Sequence, residues 1–176
     1  VIIPPKGYLK GVRKICDEFG IMMICDEVMA GVGRTGKMFA FENFDVKPDI
    51  DSLAKGVTCG YVQLGGVVVS REIAEYFDDH VLSCGLTYSG HPLACAAGVA
   101  CLKYYDDAKI LDNVNASGKV LGEELESLKS KYEIVGDVRY IGLFSAIELV
   151  RDRKTKAPLV EYGKDPAGIM KSIIGK

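Results

Sequence analysis

The stretch MMICDEVMAGVGRTG, Met22–Gly36, decides how the rest of the chain is read. A short apolar run ends abruptly in two adjacent carboxylates, Asp26 and Glu27, followed by three glycines within six residues, Gly31, Gly33 and Gly36. The apolar part, IMMIC at 21–25, does not alternate, which predicts a strand buried on both faces, as in a parallel sheet. Asp26 then stands at the carboxyl end of that strand, the edge where open α/β sheets receive ligands. A carboxylate there can anchor a protonated ring nitrogen, but it can equally start a loop or cap a helix.

Working outward, KGYLKGVRKICDEFG before the strand spaces Leu9, Val12, Ile15, Cys16 and Phe19 as a helix stopped by Gly20. After it, KPDIDSLAKG predicts a second strand and GGVVVS a third, and REIAEYFDD a short helix with Ser70 as its N-cap. This alternation predicts α/β architecture. From Ser89 the texture becomes helical and rich in small residues, and a long amphipathic helix follows over roughly 108–131, weakened by Gly118 and Gly122. YEIVGDVRYIGLFSAIELV predicts two strands around Gly142, and PAGIMKSIIGK a further helix with Pro166 in its first turn. The predicted organisation is a sheet-containing α/β part over 1–108, a connecting helix over 109–131, and the beginning of a smaller α+β part over 132–176.

Bulk properties narrow the function classes. The 176 residues are 48% hydrophobic and 26% charged, with net charge −2 and no basic block, which argues against a nucleic-acid partner. No apolar run approaches the roughly 18–20 residues that span a bilayer, and Val1-Ile2-Ile3 lacks the pattern of a signal peptide. Six cysteines without a CxxC pair, and only two histidines, read as reduced, mostly buried thiols of a cytoplasmic protein rather than a zinc site. The start at Val1, without an initiator methionine, reads as the middle of a longer protein.

Three residues carry candidate chemistry. Lys55 closes the second predicted strand, 55 − 26 = 29 residues after Asp26. An acid and an amine at one edge of one sheet are the two fixed points a pyridoxal phosphate ring requires, the carboxylate for the ring nitrogen and the lysine for the imine. Thr87, in the polar turn GLTYSGHP, offers a hydroxyl suited to a phosphate, though turn chemistry alone also explains it. Gly31 and Gly33 complete no dinucleotide or Walker pattern, so a nucleotide-binding domain has little support. Asp51 occupies a strand position suited to an apolar residue, and burying it unpaired costs several kcal/mol or forces its protonation.

CDEVMAGVGRTGKMFAFENFDVKPDI, LAKGVTCGY and LTYSGHPLACAAG resemble, in order and in Asp-to-Lys spacing, the class III pyridoxal-phosphate aminotransferases that act on ω-amino groups. The resemblance covers essentially the whole chain. It implies the fold-type I architecture, here the C-terminal part of the large mixed-sheet domain plus the start of the small domain. It also implies Asp26 as the partner of the pyridine nitrogen, Lys55 as the Schiff-base lysine and Val28 against a ring face. Thr87 is similar to the threonine that reaches the phosphate of a neighbouring subunit, which implies a homodimer with interface sites. Glu27, Arg34 and Arg139 are expected to be structural. Met29 stands where several members carry Gln, and Val32 where Phe is frequent. The substrates implied are an ω-amino donor (amino acid, taurine or diamine) and pyruvate or another 2-oxo acid, with the look of the taurine– or β-alanine–pyruvate branch. Family members are more than twice this length, so the chain alone is expected to be inactive. Alternatives are a decarboxylating dialkylglycine enzyme, an aminomutase or a racemase on the same residues, or a non-catalytic piece acting by association.

Overall fold

A computed structural model describes residues 1–164 and 168–174. Helix α1 (Tyr8–Phe19) ends at Gly20, whose left-handed φ of 63° lets its N–H reach the Cys16 carbonyl. It buries Cys16 against Met23 and Val46, with Leu9, Val12, Phe41 and Phe44 around them. Ile15 and Phe19, expected on the same face, are exposed. Strands β1 (Ile24–Asp26), β2 (Ile50–Leu53) and β3 (Gly66–Val69) form a sheet in that order, β1 parallel to β2 and β3 antiparallel to it.

The expected doubly buried strand over 21–25 is corrected. Only three residues pair, Ile21, Met22 and Ile24 are exposed, and Met23 alone is buried. An apolar run records a preference for burial, not whether a second layer covers it. Within this chain α1 and the 39–44 turn reach Met23 but leave its neighbours bare. Strand β3 is likewise exposed along its length.

Helix α2 (Arg71–Asp79) starts as expected at Ser70, whose hydroxyl accepts from the Ile73 N–H. Helices α3 (Pro92–Asp107) and α4 (Ile110–Lys131) lead to an antiparallel hairpin of β4 (Val135–Ile141) and β5 (Phe144–Asp152), extended by the short β6 (Ala157–Pro158). Leu125 of α4 packs on Val135 and Val138 as a second core, flanked by Leu121 and Leu149. Gly118 and Gly122 mark the closest approach of this hairpin. A Cβ on Gly118 would lie 2.8 Å from the Gly142 carbonyl oxygen, and one on Gly122 would enter the Tyr140 ring. Helix α5 (Ile169–Ile174) follows, and Pro166 lies outside the described residues.

The two sheets meet through the 31–36 loop. The Leu143 N–H donates to the Arg34 carbonyl at 3.0 Å, and Asn115 Nδ2 donates to the Gly36 carbonyl at 3.0 Å. A Cβ on Gly142 (φ 58°) would sit 2.5 Å from the Thr35 carbonyl carbon. The thiols depart from expectation. Of six free cysteines only Cys16 is buried, while Cys59, Cys84 and Cys95 are exposed because the surfaces carrying them have no covering layer in this chain. Among the described residues, no helix is long and apolar enough to cross a membrane.

Candidate active site

The parallel register Ile24↔Ile50, Cys25↔Asp51, Asp26↔Ser52 sets the site. It brings Asp26 level with Ser52, so the turn that begins at Lys55 leaves the same edge of the sheet three residues later. The Glu27 N–H continues the ladder to the Ser52 carbonyl at 2.9 Å. Beyond that point the chain is held by buried polar contacts. Glu27 is 3% exposed, and its carboxylate accepts from the Ala40 N–H at 2.6 Å and the Phe41 N–H at 2.8 Å. Thr35 is buried with its hydroxyl accepting from Asn43 Nδ2 at 3.0 Å. Val32, Gly33 and Gly36 carry left-handed φ values of 51°, 85° and 87°, which fold the loop back on itself.

Asp26 is exposed and accepts from the Val28 N–H at 3.0 Å, which fixes one carboxylate oxygen and leaves the other without a hydrogen bond among the described residues. Lys55 opens a 3₁₀ turn (Lys55–Thr58) with φ 43°, a strained value for a side-chain-bearing residue of the kind that gathers at functional positions. The turn is pinned from below. Thr58, 1% exposed, donates its hydroxyl to the Val62 carbonyl, and a Cβ on Gly56 would come 2.9 Å from Val32 Cβ. The two strand exits therefore touch, the Lys55 turn against the Asp26 loop.

Lys55 stands between two clefts. One, of about 610 Å³, is lined by Val28, Met29, Arg34, Lys55, Tyr105 and Ser145 among others. The second, of about 920 Å³, runs from Lys55 and Thr58 to Leu86, Tyr88 and His91. Asp26 lines a separate cavity of about 230 Å³ with Cys25 and Phe41. Among the described residues Lys55 makes no ion pair. Thr87 lies in the exposed Leu86–Ser89 turn, closed by the Ser89 N–H donating to the Leu86 carbonyl at 2.9 Å. It flanks the larger cleft without lining it. The structure thus brings Asp26, Val28 and Lys55 to one sheet edge and keeps Thr87 on a separate rim.

The expected structural residues divide. Glu27 and Arg139 act as expected, the latter pairing with Asp137 at 2.8 Å and Glu148 at 2.7 Å. Arg34 fixes its loop through its backbone, its N–H donating to the Gly31 carbonyl at 3.5 Å and its carbonyl accepting from the Leu143 N–H, and its side chain is exposed at the cleft. Tyr105 and Asn115 were not foreseen. Tyr105 donates to the Val32 carbonyl at 3.0 Å across 73 residues, and no local pattern announces such a contact.

Asp51, directly beside Cys25 in the ladder, is 3% exposed, and both of its carboxylate oxygens are buried without a hydrogen-bond partner among the described residues. Burial, then the nearby charges of Glu27 and Asp26, pushes its carboxyl up to about 6. The same surroundings, burial first and Glu27 and Asp51 after it, push the Cys25 thiol up to about 11.

The sequence profile described as aminotransferase class-III matches residues 1–176 in full. The chain belongs to the class III aminotransferase family. It is 42% identical over 163 residues to the adenosylmethionine-8-amino-7-oxononanoate aminotransferase of Geobacter sulfurreducens, covering 90% of this chain and 36% of the relative. It is 38% identical to the taurine–pyruvate aminotransferase of Bilophila wadsworthia, covering 92% and 37%. Among solved structures, the taurine:2-oxoglutarate aminotransferase of Bifidobacterium kashiwanohense, in complex with PLP and glutamate, superposes with a TM-score of 0.96 at 56% identity. That match covers all of this chain and 39% of the other. An (S)-enantioselective ω-transaminase from Thermomicrobium roseum gives 0.85 at 44% identity, covering 89% and 35%. This class III chain therefore spans little more than a third of the curated relatives it matches. Its neighbours place it in the fold-type I transaminase architecture.

Proposed function

We propose that this chain supplies the lysine–carboxylate portion of a pyridoxal-phosphate-dependent transaminase. Its substrates in the complete protein are an ω-amino compound and pyruvate or another 2-oxo acid. The observation that carries the proposal is the parallel register of β1 and β2, which sets Asp26 and the Lys55 turn on one edge with their loops in contact.

The residues present fit the cofactor. Asp26 has one carboxylate oxygen without a hydrogen bond among the described residues, to face a ring nitrogen, Lys55 is not neutralised by an acid there, and Val28 offers an apolar contact beside it in the 610 Å³ cleft. When bound, pyridoxal phosphate supplies an electron sink for the carbon that loses its proton. Asp26 would hold the positive charge on the ring nitrogen. Lys55 would form the covalent attachment and, once released, carry the proton as general base. The buried Glu27 and Thr35 contacts keep Asp26 in place while Lys55 moves.

Thr87 is proposed as a phosphate contact toward a second subunit. Its exposed turn beside, rather than within, the cleft supports a role outside its own chain. A homodimer, cytoplasmic residence, and the division into 1–108, 109–131 and 132–176 belong to the same proposal. The separate sheets and cores on either side of α4 support that division.

Equilibrium dialysis with pyridoxal phosphate tests the reading. Retention by the chain that falls in Lys55→Ala and in Asp26→Asn is expected, and equal retention by all three proteins would overturn it. In the complete protein, racemisation of an amine without keto-acid product would replace transamination with one of the related chemistries.

A further inference from the structure

At the exits of the two site strands, two residues with side chains adopt the left-handed conformation, Val32 at φ 51° and Lys55 at φ 43°. For Val32 this is the larger departure, because a branched Cβ crowds its own backbone there. Such a conformation persists only where the surroundings hold it. Val32 is 6% exposed, and it is held from two sides. On one side Tyr105 donates its hydroxyl to the Val32 carbonyl at 3.0 Å. The Tyr105 ring lies directly on the next residue, since a Cβ on Gly33 would come 2.8 Å from its Cε1. On the other side is the turn that Lys55 begins. A Cβ on Gly56 would lie 2.9 Å from Val32 Cβ and 3.5 Å from the Val32 carbonyl oxygen, so Gly56 rests on Val32 with no side chain between them. Helix α3 carries both contacts on one face: Gly98 meets the turn at the Val57 carbonyl, and Tyr105, two helical turns later, meets the loop at Val32. Val32, Tyr105 and Lys55 line the same 610 Å³ cleft.

We propose that Val32 and Tyr105 are positioning residues for Lys55. The Tyr105 hydroxyl holds Val32 in its left-handed conformation, and Val32 in turn bears on Gly56, so that Lys55 keeps its own strained backbone and presents its amine to the cleft. Neither residue forms a bond to the cofactor in this account. Their work is done through the backbone of the Lys55–Thr58 turn, which is too short to shift at Gly56 without moving Lys55. The chain of contact is also directional. With Val32 reduced to glycine, the φ of 51° is no longer strained, but nothing bears on the turn. With Tyr105 reduced to phenylalanine, the ring still covers Gly33, but the Val32 carbonyl loses the donor that resists relaxation of its backbone. The purpose of this device, though not the device itself, rests on the reading of Lys55 as the cofactor lysine.

The test compares the unmodified chain with Tyr105→Phe, Val32→Gly and the double variant by two readouts. The first is the pyridoxal phosphate concentration at which Lys55 is half-labelled, after borohydride reduction and peptide mapping. It should rise about fivefold in Tyr105→Phe, in keeping with the net worth of one hydrogen bond, and at least as much in Val32→Gly. Because Tyr105 acts through Val32, adding Tyr105→Phe to Val32→Gly should change it no further. A purely structural pair would instead lower the urea midpoint and leave Lys55 labelling alone. Unchanged labelling in Val32→Gly, or effects that multiply in the double variant, would overturn the proposal. The second readout is hydrogen exchange at the Val57 and Cys59 amides, which donate to the Ala54 and Gly56 carbonyls within the turn. Exchange should quicken in both single variants with no cofactor present, and equal exchange would overturn the proposal. If even the unmodified chain labels Lys55 no more than its other lysines, the cofactor reading fails, and exchange alone decides the device in the same two directions. Should Tyr105→Phe fail to fold, Val32→Gly decides by both readouts.

Discussion

The two sheets of this chain solve the same problem differently. The β4–β5 hairpin is covered by α4, and Leu125, Val135 and Val138 are each buried to 7% exposure or less. The β1–β2–β3 sheet leaves Val67 and Val68 at 65% and 50% exposure, yet buries a carboxylate, Asp51, on its central strand. The lesson is that the sheet carrying the candidate site is held together by polar contacts at its exits more than by a core within its strands. Glu27 on two backbone N–H groups, Thr58 on a carbonyl and Gly56 against Val32 do there what leucine and valine do beneath α4.

The contrast can be broken by mutation. Leu125→Ala should cost about 3–4 kcal/mol, the loss of a well-packed leucine, read as a lowered urea midpoint. Val68→Ala should stay within about 0.5 kcal/mol. Equal costs would mean the two sheets do not differ as described. Gly142→Ala should cost about 2 kcal/mol, since its left-handed backbone and the 2.5 Å approach to Thr35 leave no room for a Cβ, and it should loosen the docking of the hairpin on the 31–36 loop.

Asp51→Val works in the opposite direction, stabilising by about 1–2 kcal/mol at neutral pH because a buried, unpartnered carboxylate is replaced by a residue suited to a strand. Its sign with pH is fixed. The folded carboxyl titrates at about 6 against an ordinary 3.8, so its contribution favours the fold below the lower value and is lost as pH rises through the upper one. Urea titrations should show the stabilisation by Asp51→Val growing between about pH 4 and pH 6 and then levelling off. Asp49 has the reverse sense. The hydrogen bond from Arg13, joined by one from the Met23 N–H, holds it below its ordinary value, so its support is present above that range and lost in acid.

The elements were legible in sequence wherever a local rule governs them. Ser70 as a cap, Gly20 as a stop and the turn at Gly142 all follow from neighbouring residues, and the Asp26–Lys55 pairing follows from two successive strands, each read from its own residues. So did the difficulty at Asp51, whose charge is plain in a strand of apolar character. What escaped depends on coverage and on distance along the chain. IMMIC looks buried because its residues prefer burial, yet coverage belongs to another layer. The same reason misplaced Cys59, Cys84 and Cys95. Tyr105 on Val32 and Asn115 on Gly36 join residues more than 70 apart, and each looks like an ordinary polar residue of a helix. For Gly118 and Gly122, sequence showed the cost to the helix and not the hairpin they admit.

The most direct test of the central claim is to treat the chain with pyridoxal phosphate, reduce it with borohydride and map the labelled lysines by peptide mass. Lys55, strained at the start of the 3₁₀ turn that follows β2 and beside the Asp26 loop, should carry the dominant label, and Lys55→Ala should remove it without raising label elsewhere. Label spread over the exposed lysines, and unchanged in Lys55→Ala, would contradict the assignment of this sheet edge as the cofactor site.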